Sequence, residues 1–528
     1  MATIIKQRVK GHVYLYESVS YRNEDGQPRS QRKLIGKIDP KTGNPIYTGE
    51  YIQRMKAKGT PVDQSSQEET FTENDIKRSI IKEYGAFYLY REIGEETGLI
   101  DILKEVFPRC WEQIFNIACY LVSSGDPLMY CVDWVEKTEA FPGGALSPAA
   151  ITELFKGITF GEQSEFYEKW SSYRDEKEYL ALDITSFSSY SELITDVEWG
   201  YNRDREHLPQ INLCLLMGEE SGLPVFQTTY SGSIGDVSTL KSILKIAAAL
   251  PLKKLLIVMD KAFGRIKNIN TMLSDKQDIR FIVAASFSLT FSSEAVNKER
   301  ETIDTIENTI IIGDDSVRGV TRQLDWGGKH ILYMHVYYNA LKAAKLKEDM
   351  YSNVASMLEI LKQDPTDTKK VEKYNKYLEV KANTEHNGYD IAVRYDAVNK
   401  KLSHKGWLVL VGNQSFDATK ALAIYRAKDV VEKGFYRMKN SLDLGRLRVH
   451  SNTTMQSKVF ISFIALILEC RIHRVMLMSG LYKTMTMKKL ILTLEKLRIQ
   501  HIKGKDILFP LTKVQKAIFK AFNFEFPK

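Results

Sequence analysis

Two short apolar runs, each ending in an aspartate, constrain the fold of this 528-residue chain most strongly. Residues 179–182 are apolar and lead into Asp183, and residues 255–259 are apolar and lead into Asp260. Runs of this length are typical of strands that are buried on both faces. More strands are predicted at 211–217, 225–230, 281–285 and 407–411, with helices between several of them. The pattern predicts an α/β protein with a mixed sheet and helices on its faces.

The two aspartates are candidate metal ligands. A carboxylate at the end of a buried strand costs free energy unless a partner neutralises its charge. Hard cations such as Mg²⁺ prefer carboxylate oxygens, so Asp183 and Asp260 fit that role. Either residue alone is also consistent with a cap or a turn. In-line phosphodiester chemistry uses two cations about 3.5 to 4 Å apart, held by a few carboxylates on rigid elements.

A third carboxylate, Glu432, lies in a predicted helix over residues 425–439. Tyr425, Lys428, Glu432 and Lys439 are spaced by three, four and seven residues, so they share one face of a helix. On such a face the carboxylate can bind a metal while the amines neutralise phosphate oxygens. The spacing is equally consistent with a solvated helix face carrying ion pairs four residues apart.

Positive charge is concentrated near the end of the chain. Residues 426–528 contain 21 Lys and Arg against 7 Asp and Glu, and the preceding residues carry a net negative charge. This asymmetry is typical of a protein that binds a polyanion. The residues predicted to contact phosphates are Lys428, Arg437, Lys439, Arg446 and Arg448.

Cysteine usage and hydropathy exclude several classes of protein. The five cysteines lie far apart, and the nine histidines show no metal-ligand spacing, so disulfides and structural zinc are not expected. The longest apolar run, residues 459–468, is about half of what a bilayer span requires. We expect a cytoplasmic protein without a membrane partner.

The chain divides into five predicted regions. Residues 1–70 are predicted to form a basic β-hairpin module with a polar linker at 64–69. Residues 481–528 are predicted to form a basic helical region.

Residues 71–175 are predicted to be helical and to bind DNA ends or mediate dimerisation. Within them, a capped helix at 147–155 is predicted either to read DNA or to pack. The mixed sheet is split between 176–290 and 407–480. Residues 291–406 form a β-rich insertion with a helical hairpin, whose second helix runs through Val371, Tyr374 and Leu378.

These residues resemble the catalytic core of the DDE transposases of bacterial insertion sequences, which has a ribonuclease-H-like fold. Residues 180–183, 257–260 and 425–439 carry the resemblance. The last segment is similar to the Tyr-x2-Arg-x3-Glu-x6-Lys signature of one branch. Other segments that look like that branch are 200–204, 208–210 and 232–236, together with the insertion between Asp260 and Glu432. The chain departs from that branch in two places, since Lys428 replaces an arginine and Lys261-Ala262 replaces Arg-Gly.

The resemblance implies a site and a reaction. Asp183, Asp260 and Glu432 would be the catalytic residues and would bind two Mg²⁺ ions, for which Mn²⁺ can substitute. The chain would cut double-stranded DNA at terminal inverted repeats, and the freed 3′-hydroxyl would attack target DNA. It would act as a homodimer in the synaptic complex, in a bacterial cytoplasm.

The resemblance also implies that Tyr425, Lys428 and Lys439 contact the transposon end. Some relatives form a hairpin intermediate in which an aromatic side chain of the insertion holds a flipped base. Trp326 is the candidate for that role. Its alternative role is that of an ordinary core or turn aromatic.

Two other functions fit the same residues. The three carboxylates would also serve a metal-dependent DNA nuclease that performs no strand transfer. A transposase-derived DNA-binding protein is the non-enzymatic alternative. The intact acidic triad favours an enzyme, and the large insertion and N-terminal modules favour a transposase.

Overall fold

The chain forms two compact units in a computed structural model: residues 1–80 with 501–505, and residues 81–500 with 506–528. The structure describes the chain except residues 1, 10–11, 24–25, 41–42, 59–70, 145, 173–177, 192, 200–207, 235–239, 241–242, 244–255, 275–278, 314, 384–387 and 528. The predicted linker at 64–69 and the segment 200–204 therefore lie outside the described residues.

The first unit contains a small antiparallel sheet. Its strands are β1 (Ala2–Val9), β2 (His12–Arg22), β3 (Pro28–Ile38) and β4 (Pro45–Tyr47), paired in chain order. Helix α1 (Gly49–Ala57) follows and begins where the Thr48 hydroxyl accepts from the Tyr51 amide. Leu15, Ile35 and Tyr51 form the buried core of this unit. A second, short helix, α2 (Glu73–Lys77), begins at a capping box formed by Thr72 and Asp75.

In the described part of the second unit, six helices precede the main sheet. After strand β5 (Ile80–Glu83) they are α3 (Gly85–Glu96), α4 (Leu99–Val106), α5 (Trp111–Ser123), α6 (Cys131–Lys137), α7 (Pro148–Gly157) and α8 (Phe160–Ser172). Helix α7 is the segment predicted to read DNA or to pack. Its Ile151 and Phe155 are buried, and the Phe155 carbonyl accepts from the Ser457 hydroxyl, so this face packs inside the protein.

The main sheet is mixed and has nine strands among the residues that the structure describes. Its order is β11-β12-β13-β16-β10-β9-β6-β7-β8. The strands are β6 (Leu180–Ser188), β7 (Gln210–Gly218), β8 (Pro224–Ser231), β9 (Leu256–Met259), β10 (Arg280–Ala284), β11 (Thr309–Ile312), β12 (Asp315–Trp326), β13 (His330–Tyr338) and β16 (Trp407–Gly412). Strand β9 is parallel to β6 and β10, and the other neighbours are antiparallel. With helices α9 (Ile266–Ser274) and α10 (Thr290–Glu299), this confirms the predicted α/β class with a large mixed sheet.

The strands of the predicted 291–406 insertion continue this sheet. Strand β13 pairs with β16 from Tyr333 to Tyr338, and β12 and β11 follow outward. The rest of the segment has a small core of its own, formed by Val354, Leu361, Leu378 and Val398. It consists of helices α11 (Ala340–Gln363), α12 (Thr368–Tyr374) and α13 (Tyr395–Leu402) with the hairpin β14 (Leu378–Asn383) and β15 (Gly388–Val393). Leu378, predicted in the second helix, instead begins a strand because it pairs with Val393.

A long helix forms the centre of the second unit. Helix α16 (Asn452–Met478) is buried along most of its length and packs against α5 and α7. Apolar residues surround its axis, as expected for a helix covered on all sides. In the part of the chain that the structure describes, no helix has the length and apolarity needed to cross a bilayer. The C-terminal region adds α17 (Met487–Leu494), β17 (Arg498–Ile502), β18 (Lys505–Leu508) and α18 (Lys513–Ala521), so it is not purely helical.

Two consecutive helices place the third carboxylate beside the sheet. The segment predicted as one helix over 425–439 is divided at Lys428 into α14 (Ala418–Ala427) and α15 (Asp429–Asn440). Helix α15 packs on β6 and β7. Gly434 permits this close approach, because a Cβ there would stand 2.4 Å from the Met217 sulfur.

Candidate active site

Asp183 and Asp260 lie side by side on neighbouring parallel strands. Strand β6 pairs with β9 up to Leu182 opposite Met259, and the two aspartates are the next residues of the two strands. Asp260 follows the end of β9, whereas β6 continues to Ser188 because it remains paired with β7. Asp183 is therefore inside a strand, not after it as the sequence pattern predicted. Its side chain stays half-buried at this position.

Tyr425 holds Asp260 from the end of α14. The Tyr425 hydroxyl donates to Asp260 Oδ1 at 3.1 Å. Burial is the main cause that raises the pKa of Tyr425, and the charges of Asp260, Glu432 and Asp183 raise that pKa further. The phenol therefore remains a protonated hydrogen-bond donor at neutral pH.

Lys428 occupies the junction between the two helices and pairs with Glu432. Its ammonium lies 3.0 Å from Glu432 Oε1. The Lys428 side chain is only 6% exposed, whereas that of Glu432 is 59% exposed. Burial lowers the pKa of Lys428, but the charges of Asp183, Glu432 and Asp260 outweigh burial and leave that pKa above its usual value. Lys428 is thus a buried cation that contacts Glu432 and is stabilised by the charges of Asp183 and Asp260.

The three carboxylates act together on the same two side chains. The charges of Asp183, Asp260 and Glu432 all raise the pKa values of Tyr425 and Lys428, so all three carboxylates interact electrostatically with the same two side chains. As a donor set, three carboxylates suit a hard divalent cation. Among the described residues, however, no three Asp, Glu, His or Cys converge closely enough to hold an ion in this arrangement. Glu432 is instead engaged with the Lys428 ammonium.

Cationic side chains line the continuation of β6 beyond Asp183. The Lys439 ammonium is 5.7 Å from the centre of the Phe187 ring, and the Arg446 guanidinium is 5.8 Å from that of Tyr190. Arg446 also bridges Ser188 through the backbone. Tyr190 is 71% exposed, and sequence reasoning missed it because an isolated tyrosine in a predicted loop carries no periodic signal.

Arg437 does not lie on the surface predicted for it. It is 9% exposed, and its Nε lies 3.9 Å from Glu469 Oε1 on α16. Burial raises the pKa of Glu469 to about 7, although Arg437 acts to lower it. The correction follows from packing, because α15 covers the sheet with one face and α16 with another. Arg437 joins the two helices, so its guanidinium is not part of the exposed surface on which phosphate contacts were predicted.

Trp326 is held at the end of β12 by two contacts. Its indole Nε1 donates to Asn270 Oδ1 at 2.6 Å, and its ring packs edge-on against Phe291 at 5.6 Å. These contacts fix the indole within the main sheet region. The proposed role on a flipped base stays a prediction.

The chain belongs to the family of transposase DDE domains. The family model described as "Transposase DDE domain" matches residues 174–468, which is more than half of the chain and includes Asp183, Asp260 and Glu432. Among curated proteins, no significant match is found. Among solved structures, the chain is similar to a piggyBac transposase in a synaptic complex with hairpin DNA, at 9% identity and a TM-score of 0.36. That similarity covers 66% of this chain and 57% of the other.

Proposed function

We propose that this protein is a DNA transposase whose phosphodiester chemistry takes place at Asp183, Asp260 and Glu432. The observation that carries the proposal is that Asp183 and Asp260 directly follow the paired residues Leu182 and Met259, with Tyr425 hydrogen-bonded to Asp260 and Lys428 to Glu432, inside the range of the family match. The function requires DNA cleavage at element ends followed by strand transfer into target DNA. A ribonuclease-H-like arrangement of the sheet is part of the same proposal.

Divalent cations, Mg²⁺ or Mn²⁺, fit the donor chemistry of the site. Asp183, Asp260 and Glu432 would hold two such ions, which would activate the attacking oxygen and stabilise the leaving oxygen. The parallel register of β6 and β9 positions the first two carboxylates together before any ligand arrives. Glu432, which is exposed to solvent, completes the set when it turns from Lys428 toward the aspartates.

The other polar residues orient the site and hold DNA. The Tyr425 hydroxyl fixes one oxygen of Asp260, which leaves the second oxygen available to a cation. Lys439 and Arg446, beside the exposed Tyr190, supply positive charge for phosphates of the DNA backbone. Double-stranded DNA with terminal inverted repeats is the proposed substrate. A homodimer that joins two ends in the bacterial cytoplasm is the proposed working form.

The experiment is a cleavage and joining assay on DNA that carries the inverted repeats flanking the coding region. With Mg²⁺, the wild-type protein should nick the repeat ends and join them to target DNA. Asp260→Asn should reduce nicking by at least about 100-fold, because it removes a metal-binding charge without changing shape. Nicked DNA without joined product would identify a nuclease, and binding without any cleavage would identify a DNA-binding protein.

A further inference from the structure

The Lys428 ammonium supplies positive charge to the carboxylates of the candidate site. Its side chain is 6% exposed and contacts Glu432, and the charges of Asp183 and Asp260 also act on it. Three carboxylates in one neighbourhood repel one another, and that repulsion is strongest where the environment is poor in water. A single ammonium relieves part of it. The cluster is therefore partly neutralised in the protein alone.

The Lys428 ammonium and a metal ion compete for Glu432. Lysine has three hydrogen-bond donors and no acceptor, so in its charged form it cannot serve as a metal ligand. Asp183, Asp260 and Glu432 do not converge in this arrangement, so Glu432 must turn toward the aspartates before it can share an ion with them, and its Oε1 then leaves the Lys428 ammonium that now lies 3.0 Å away. The two cations would then repel each other at short range. Metal binding by all three carboxylates requires Lys428 to leave Glu432.

We propose, on the basis of the function proposed above, that Lys428 is an internal counter-ion that divalent metal displaces from Glu432. Lys428 is thereby a positioning residue: it holds Glu432 in the absence of metal. After the exchange, its ammonium is available to a phosphate oxygen. Release of Lys428 from Glu432 would thus allow Glu432 to bind metal and Lys428 to bind a phosphate of the DNA backbone.

A lysine is suited to this exchange better than an arginine. Its ammonium is a compact charge on a flexible four-carbon stem, so it can leave one carboxylate without losing a bidentate geometry. An arginine at this position would bind Glu432 through a planar fork and would be harder to displace. The junction between α14 and α15 directs the Lys428 stem inward while Glu432 remains open to solvent.

The test is metal affinity of the full-length protein without DNA. Mn²⁺ binding to the wild type, Lys428→Met and the control Lys433→Met is measured by calorimetry and by the electron paramagnetic resonance of free Mn²⁺. Lys433 lies on the same helix and forms an exposed pair with Asp429, which makes it a matched control. We expect Lys428→Met to bind Mn²⁺ about tenfold more tightly than wild type, because the competing cation is gone. The control should bind like wild type.

Two further variants separate the possible outcomes. Lys428→Gln, which keeps a donor for Glu432 but no charge, replaces Lys428→Met if the latter does not fold, and should also bind more tightly. Asp260→Asn should abolish Mn²⁺ binding if the ion is held by the carboxylate cluster. Loss of binding in Asp260→Asn together with unchanged or weaker binding in both Lys428 variants would overturn the exchange and leave the metal site intact. No Mn²⁺ binding to any of these proteins would overturn both proposals.

Discussion

At the level of single residues, two hydrogen bonds orient the carboxylates of the candidate site. Asp260 accepts from Tyr425, and Glu432 accepts from Lys428, so two of the three carboxylates are oriented by residues of the same segment. The sequence predicted Asp183, Asp260 and Glu432 as one site because each follows from strand patterning or helical spacing. It did not predict that Lys428 turns inward, since that depends on a break between two helices that no local residue type signals.

Tyr425 should be required for the rate of cleavage and not for the DNA contact that the resemblance implies, because its hydroxyl is engaged with Asp260. Tyr425→Phe removes the hydrogen bond to Asp260 while the ring remains in place. We expect nicking to slow by about 10- to 100-fold, the usual effect of losing a partner that orients a ligand, with end binding near the wild-type value. Tyr436→Phe, at a 67% exposed position on α15, is the control and should cut normally. Equal rates for both variants would remove Tyr425 from the site.

At the scale of elements, helices α15 and α16 are joined by a buried ion pair. Arg437 was predicted to contact phosphates because positive charge is concentrated in residues 426–528. Its burial against Glu469 depends on the path of α16, which begins after a loop and crosses the second unit. The pairing of β13 with β16 was missed for the same reason, since the order of antiparallel strands is set by tertiary packing and not by local sequence.

The Glu469 carboxyl should make stability depend on pH. Its pKa is about 7 in the folded chain and 4.5 is its ordinary value, so the folded state binds the proton more tightly. The resulting stability is present below pH 4.5 and is lost as pH rises toward 7, by up to about 3 kcal/mol. Glu469→Gln cannot titrate and should flatten this dependence.

The measurement is chemical denaturation at pH 5 and pH 7.5 for wild type and Glu469→Gln. Glu359→Gln, which alters an exposed pair with Lys362, serves as the control and should keep the wild-type dependence. If Glu469→Gln has the same pH dependence as the wild type, Glu469 is ionised throughout and the buried pair is a simple salt bridge.

At the scale of the whole molecule, the excess of positive charge is only partly available to DNA. Several cations of residues 426–528 are engaged internally, among them Arg437 with Glu469 and Lys458 with Asp443. The charge count in the sequence therefore overstates how many of these cations are available to DNA. Lys439 and Arg446, near the end of β6, remain the candidates for backbone contacts.

Lys439 should contribute one phosphate contact. Lys439→Ala should weaken end binding and reduce the slope of log affinity against log salt by about one, because one fewer counterion is released. Binding is measured by fluorescence anisotropy across a series of salt concentrations. Lys362→Ala, on a solvated face of α11, should leave the slope unchanged. A wild-type slope in Lys439→Ala would place that ammonium off the DNA.

Glu432 should be required for catalysis and not for DNA binding. Glu432→Gln preserves the shape of the side chain and removes the charge that would hold metal. It is compared with Asp429→Asn, which removes an exposed carboxylate from the first turn of the same helix. End binding and Mg²⁺-dependent nicking are measured on one preparation of each protein. We predict that Glu432→Gln binds ends with near wild-type affinity and does not cut, while Asp429→Asn does both. A Glu432→Gln protein that cuts at the wild-type rate would contradict the account.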